Sequence, residues 1–589
     1  MNKCLYGNEE LFMRIVRTKA VRTSRRHQTF LQGALILTAG IFLVKVIGAM
    51  FKIPLTWIIG EDGLGYFNTA YHFYSPIHSL ATAGFPIAIS RMVSSCMAQK
   101  RYGDGYRIHQ VSIPIFVLTG LCGTAIMALG APFYVRAIGN PQSLLSMLSL
   151  SPAILFGCLM AIYRGYYEGL RNMVPTAVSE ILEAVCKLVI GLTGALLTVW
   201  WGMREYETSG TVFGQAMASP DYAKSALLPV AAAMAILGVT VGSLVGFLYL
   251  LHCRKKAGYA VTPAEVSSAL PTLSKGETVH RLTKTALPIG LGALAVNLAG
   301  LVDTTFLQMR MGDLMATQQE ALLSCYAGMI PQINLENGTV PNFLYGCYSQ
   351  ALTLFMGVPS VPQAFGISAL PSVTNAYAGK NKEALQSGVT AVLRLTCLFC
   401  IPAGLGLSVL SYPISTLVFG ARPSMEITAR VLSLLGVSAI FAALSTPINS
   451  MLQAVGRVDL PVKLLVVGLS IKAALNYILS GIPQINLLGA AIGTLCCYVF
   501  LTVAGLILLL RVTKVRLSLF SILVKPFFAS LLCCAAAYVG QNALRHLLPA
   551  VVSTGCALVI AVGIYLISLW LLCAIHKSDL TLLRKGKKT

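Results

Sequence analysis

The stretch GIFLVKVIGAMFKIPL, Gly40 to Leu55, puts two lysines inside a segment, residues 31–59, that is otherwise apolar enough to cross a bilayer. The whole chain shares that apolar character: 589 residues, 56% hydrophobic and 11% charged, with a mean hydropathy of +0.74. An ordinary soluble domain carries roughly 25% charged residues, so this composition belongs to a polytopic membrane protein. The formal net charge of +23 would suggest nucleic acid in a soluble protein. Here the basic residues cluster in short segments between apolar runs, where they report topology and leave no case for a nucleic-acid partner.

A hydrocarbon core of about 30 Å takes about 20 apolar residues in a helix, and that ruler marks about fourteen segments. They fall at 31–59, 66–90, 111–135, 146–166, 175–201, 226–252, 283–308, 341–372, 388–418, 430–453, 460–481, 486–510, 519–542 and 551–575. The fold class expected is therefore an all-α polytopic membrane protein. With the N-terminus inside, about 33 of the 44 basic residues fall in cytoplasmic segments, about 7 in external ones and about 4 within the membrane. Internal loops read QKRYGDGYR, YRGYYEGLRN, HCRKKAG and RVTKVR, whereas external ones read GEDGLGY, REYETSG and GDLMATQQE. Both basic termini are expected in the cytoplasm.

The first 30 residues lack the apolar core and cleavage site of a signal peptide and read as a basic cytoplasmic tail. No loop is long enough for an independent core. Most of the sixteen cysteines lie in apolar runs without a repeating spacing, so they read as small apolar helix residues. Cys397 and Cys400 form a CLFC half-motif with no second pair, and no metal site is expected there.

An internal echo divides the chain. EGLRNMVPTAVSEILEAVCKLVIGL, from Glu168, is answered by QAVGRVDLPVKLLVVGLSIKAALNYIL, from Gln453. In each a glycine-bearing turn precedes a proline (Pro175, Pro461), and a lysine follows on the next helix (Lys187, Lys472). PIAISRMV after Phe85 and GISALPSV after Phe365 match in the same order. The expected organisation is a tail at 1–30, a six-helix lobe at 31–252, a cytoplasmic linker at 253–282, a second six-helix lobe at 283–511 in parallel repeat, two further helices at 512–576 and a basic tail at 577–589.

Charges within apolar spans are costly and point to function. A lysine at the bilayer centre costs about 2.5–3.5 kcal/mol, so Lys45 and Lys52, two turns apart on one helical face, are expected to meet water or an anionic partner. Snorkelling toward an interface is the alternative. Glu180, Glu183 and Lys187 share a face of the fifth segment, where Glu183 and Lys187 are spaced for an i, i+4 ion pair. Asp303 stands deep in the seventh segment, as a carrier of a proton or sodium or as the partner of a cavity lysine. Lys472, with Asn476 one turn later, repeats Lys187. A cavity with cations from several helices suits an anionic substrate, and prolines within spans permit helix bending.

These residues resemble a known family. GIFLVKVIGAMFKIPLTWIIGEDGLGYFNTAYHFYSPIHSLATAGFPIAISRMVS, followed by YRGYYEGLRNMVPTAVSEILEA, is similar to the lipid flippase branch of the multidrug/oligosaccharidyl-lipid/polysaccharide (MOP) exporter superfamily, nearest to lipid II flippases and stage V sporulation protein B. The resemblance runs from Phe30 to about Ile575. It implies two six-helix lobes around a cationic cavity, two C-terminal helices forming a groove for a lipid tail, and a bacterial cytoplasmic membrane. The implied substrate is an undecaprenyl-pyrophosphate-linked saccharide, with lipid II foremost. Lys45 and Lys52 stand at or beside first-helix arginines of that branch, keeping charge without the bidentate fork. His78 and Arg91 are the nearest basic groups to a second-helix arginine, and Gln350 stands about where some members carry another. No cofactor is implied, and the coupling ion, sodium or proton, is left open.

Two other classes share parts of this pattern. A drug antiporter of the same superfamily would use Asp303 and Glu180 for a coupling ion, but it binds cationic drugs that a lysine-bearing cavity repels. A membrane-embedded glycosyl- or phosphotransferase needs clustered acids, and Glu61 and Asp62 read instead as an external helix connection. Phosphate loops, nucleophile elbows and zinc motifs are missing from the sequence, so an enzyme is not expected.

Overall fold

The computed structural model describes residues 30–82, 84–257, 273–518 and 520–572. The predicted basic tails, apart from Phe30, and the middle of the predicted linker, residues 258–272, lie outside the described residues. The described chain is helical almost throughout, as hydrocarbon demands of a backbone that must satisfy its own polar groups. It falls into two compact units, which meet in sequence at Leu298 and Ala299.

The first unit contains α1 (Phe30–Thr82), α2 (Gly84–Ala98), α3 (Tyr102–Ala137), α4 (Leu144–Leu150), α5 (Pro152–Gly169), α6 (Val174–Ser209), a hairpin of β1 (Thr211–Val212) and β2 (Gln215–Ala216), α7 (Pro220–Ala257) and the first half of α8 (Lys275–Thr317). Its core gathers Phe51, Tyr66, Phe67, Phe116, Met127, Tyr166 and Ile236. Glycines set the helix spacing. Gly238, Gly242 and Gly246 recur every fourth residue on α7, and side chains there would strike Gly191 N, Glu183 O and Met160 Sδ. The α7 backbone thus lies directly against α6, the close approach that small residues permit in membrane bundles.

The second unit holds the rest of α8, then α9 (Gln319–Ser324), α10 (Gln332–Glu336), α11 (Val340–Phe355), α12 (Gly357–Ala378), α13 (Lys382–Val409), α14 (Ser411–Phe419), α15 (Met425–Ala454), α16 (Asp459–Leu479), α17 (Leu487–Thr513), α18 (Lys525–Leu544) and α19 (Ala550–Leu571). Phe343, Tyr348, Phe355, Leu432, Leu435 and Ala443 lie in its core. Helices α18 and α19 pack on each other and show apolar side chains such as Phe528, Val559 and Trp570 outward. Tyr565 on α19 donates to the carbonyl of Leu398 on α13 at 2.7 Å, tying the pair to this unit. Cys397 and Cys400 are buried free thiols on α13.

One sequence expectation changes. GEDGLGY is not a loop: only Gly60 leaves the helix, at φ 63° and ψ −161°, and Glu61 is already buried in the next helix. One glycine suffices because it reaches a backbone region closed to other residues. Twelve described stretches, against about fourteen expected, are long and apolar enough to cross a membrane. The first two predicted segments merge into one of 60 residues, Ala39–Ala98, and the eighth is divided between α11 and α12. The two compact units meet in sequence within α8. Upstream, Asn297 bonds Ser75 at 2.9 Å and Ser79 at 2.7 Å in the first unit; downstream, Asp303 bonds Lys472 in the second.

Candidate functional site

Both halves of the sequence echo fold as helical hairpins. The α5–α6 turn passes through Arg171 at φ 56°, and the α15–α16 turn through Gly456 at φ 83°. Pro175 and Pro461 then open α6 and α16, where a missing N–H costs nothing, and direct Lys187 and Lys472 into their units. The two lysines meet different surroundings.

In the first unit, Glu183 does not pair with Lys187. Its carboxylate accepts from Arg164 Nη2 on α5 at 3.1 Å and from Ser243 Oγ on α7 at 3.1 Å. Arg164 Nε also donates to Ser179 Oγ at 2.9 Å. The intrahelical i, i+4 pairing loses because the Gly238–Gly246 contact brings Ser243 up to α6 while Arg164 reaches across from α5. Glu180, half-buried one turn earlier, forms no hydrogen bond among the described residues.

Lys187 is left over two aromatic faces, with Nζ 4.8 Å from the ring centre of Phe51 and 5.3 Å from that of Tyr71. A desolvated cation–π contact is worth about 2 kcal/mol, enough to orient an ammonium but not to neutralise it. Lys52 adjoins Phe51 on α1 and feels the positive charge of Lys187. Among the described residues no carboxylate pairs with either ammonium. Two cations that repel one another, one of them held on an aromatic shelf and both partly open, form a place for an anion.

The remaining predicted residues scatter. His78 is half-buried, stacked on Tyr74 at 4.9 Å with Thr82 Oγ1 3.4 Å from Nδ1, and it feels the charges of Glu183 and Arg164. Lys45 is exposed on α1, about 10 Å along the axis from Lys52. Arg91 is exposed on α2. Gln350 is wholly buried in the second unit, and its side-chain oxygen accepts from Thr428 at 2.9 Å, so it offers no surface to a substrate.

Asp303 and Lys472 come together in the second unit. Lys472 Nζ lies 2.8 Å from Asp303 Oδ2, Tyr348 OH donates to the same oxygen at 3.0 Å, and Asn476 Nδ2 donates to Oδ1 at 2.6 Å. The two charged residues are 2% and 5% exposed, so the pair is neutralised out of water. Asn476 thus serves the carboxylate, not the lysine beside it in sequence. Among the described residues no three His, Cys, Asp or Glu side chains gather as a metal site.

Sequence reading missed Arg164, Ser243 and the Phe51–Tyr71 shelf. Arg164 carried a signal, as a charge within an apolar run. So did GVTVGSLVG, whose glycine spacing fixes the α6–α7 contact; the aromatic shelf carried none.

Comparison with known proteins agrees with this architecture. A family described as polysaccharide biosynthesis protein matches residues 30–220, and the MatE family matches residues 346–478. The chain is 26% identical over 495 residues to lipid II flippase MurJ of Bacillus subtilis (strain 168), covering 82% of each. It is 22% identical over 487 residues to stage V sporulation protein B of the same organism, covering 81% of this chain and 82% of that protein. Among solved structures, an inward closed conformation of lipid II flippase MurJ aligns at a TM-score of 0.59 and 15% identity, over 91% of this chain and 98% of that one. An inward-facing multidrug resistance transporter of the MATE family aligns at 0.58 and 13% identity, over 80% and 96%.

Proposed function

Because this chain is a multi-pass, all-helical transporter of the MOP exporter superfamily, in its lipid II flippase-like branch, we propose that it moves an undecaprenyl-pyrophosphate-linked saccharide across the bilayer, with the peptidoglycan precursor lipid II as substrate. Transport runs from the inner to the outer leaflet by alternating access, with both basic termini on the cytoplasmic side.

The observation that carries this reading is the Lys52–Lys187 pair. No carboxylate of the described residues stands at ion-pair distance from either ammonium, although Lys187 feels the charge of Glu183, and a bound diphosphate would relieve their mutual repulsion. Phe51 and Tyr71 hold Lys187 in place, and the half-buried Tyr71 gives the sugar rings an aromatic surface. Lys45 and Arg91, both exposed, are second contacts along the path, and His78 borders the site. The polyprenyl chain stays in lipid against the outward apolar faces of α18 and α19.

The antiporter alternative loses support at Asp303. Its charge is already balanced by Lys472, and two lysines in the first unit without a carboxylate at ion-pair distance among the described residues disfavour a cationic drug.

The test is complementation in a bacterium depleted of its own lipid II flippase, with external lipid II followed by a toxin that reaches only the outer leaflet. Rescue that disappears in Lys52→Ala supports the proposal. Good expression without rescue assigns the protein another substrate.

A further inference from the structure

Asp303 has the setting of an ion site and is already occupied by a side chain. Its carboxylate takes three donors from three residues, Lys472, Asn476 and Tyr348, carried on α16 and α11. One negative and one positive charge meet where water is excluded. A sodium ion added beside them would leave a net positive charge in a buried place, and a proton on Asp303 would strand Lys472. Both states cost several kcal/mol.

The ammonium lies against one carboxylate oxygen, which it shares with the Tyr348 phenol. Without Lys472, the carboxylate of Asp303 and the phenol of Tyr348 would be left together, with the amide nitrogen of Asn476 still on the other carboxylate oxygen. The Asn476 oxygen is fully buried and has no donor. It faces Gly493, where any side chain would collide with it. A carboxylate beside a neutral phenol oxygen is a buried, negatively charged place that a hard cation would fill. The lysine supplies that cation on a tether.

We propose that Lys472 is the resident counter-cation of the second unit, holding the place beside Asp303 that a sodium ion would otherwise take, so that this unit works without binding sodium. The proposal concerns the driving ion and holds whichever anionic lipid is carried.

The test is thermal unfolding of the purified full-length protein in detergent, in sodium chloride against choline chloride at equal ionic strength. The wild type is expected to unfold at the same temperature in both salts. Lys472→Met is expected to unfold about 5 °C or more lower in choline and to recover saturably as sodium replaces it. The double variant Lys472→Met/Asp303→Asn is expected to ignore sodium and to exceed the single variant in choline. A wild type stabilised saturably by sodium, in a way lost in Asp303→Asn, overturns the proposal. So does a Lys472→Met protein that matches the wild type in both salts. Should Lys472→Met fail to fold in either salt, the double variant decides: if stable it upholds mutual neutralisation, and if equally unfolded it overturns it.

Discussion

Lys187 and Lys472 follow the prolines that open their helices by 12 and 11 residues, yet among the described residues only Lys472 has a carboxylate at ion-pair distance. Lys472 is closed off 2.8 Å from Asp303, whereas Lys187 rests on Phe51 and Tyr71 beside a second cation, Lys52. Two copies of one hairpin have been put to different uses. The first presents positive charge, and the second cancels it.

Replacing an unpaired lysine separates a binding role from a structural one. Lys52→Met or Lys187→Met should reduce lipid transport at least tenfold, because a charge-assisted contact with phosphate contributes about 1.5–3 kcal/mol. The same variants should reach the membrane normally and unfold no earlier than wild type, since removing an uncompensated charge from an apolar span relieves its desolvation cost. Transport assays paired with unfolding curves measure both. Full transport in either variant takes that lysine out of the site. Lys187→Arg should keep part of the activity, because arginine also stacks on aromatic faces.

The Arg164–Glu183 bridge should behave in the opposite way. Glu183→Gln leaves Arg164 half-buried without its counter-charge and should cost about 2 kcal/mol, less than a fully buried pair because both side chains keep some exposure. Arg164→Met should cost a similar amount, and the double variant clearly less than the two together. A double-mutant cycle on unfolding free energies measures the coupling, and strict additivity would deny the bridge any energetic role.

Gly60 carries the break between the first two predicted segments. At φ 63° and ψ −161° its backbone sits in a region essentially reserved for glycine. Gly60→Ala should cost about 1–3 kcal/mol and lower the amount of folded protein, as size-exclusion yield after detergent extraction would record. An unchanged yield and unfolding temperature would mean that the turn accepts another geometry.

Gly238 tests how the charge network is positioned. A Cβ there would fall 2.6 Å from Gly191 N, so Gly238→Val must push α7 away from α6 and carry Ser243 off Glu183. Overpacking of this kind costs about 1–3 kcal/mol. Combining Gly238→Val with Ser243→Ala should add little to the loss, whereas independent sites would sum.

Much of this was legible in the linear pattern. Apolar runs and their basic flanks specify a helical membrane protein, and the paired Pro-to-Lys spacing reveals the hairpin used twice, because hydrophobic length and local turn chemistry are short-range properties. What each buried charge does was not legible. Glu183 and Lys187 are spaced for an ion pair, and local spacing cannot foresee that Arg164 and Ser243, 19 and 60 residues away, compete for the same carboxylate. Gln350 looked like a substrate ligand until packing turned it to Thr428. Asp303 and Lys472 lie 169 residues apart, and only tertiary folding made them partners. In a bilayer every charge must find water, a ligand or an opposite charge, and which of these it finds depends on the helix packed against it, information that a position in sequence does not hold.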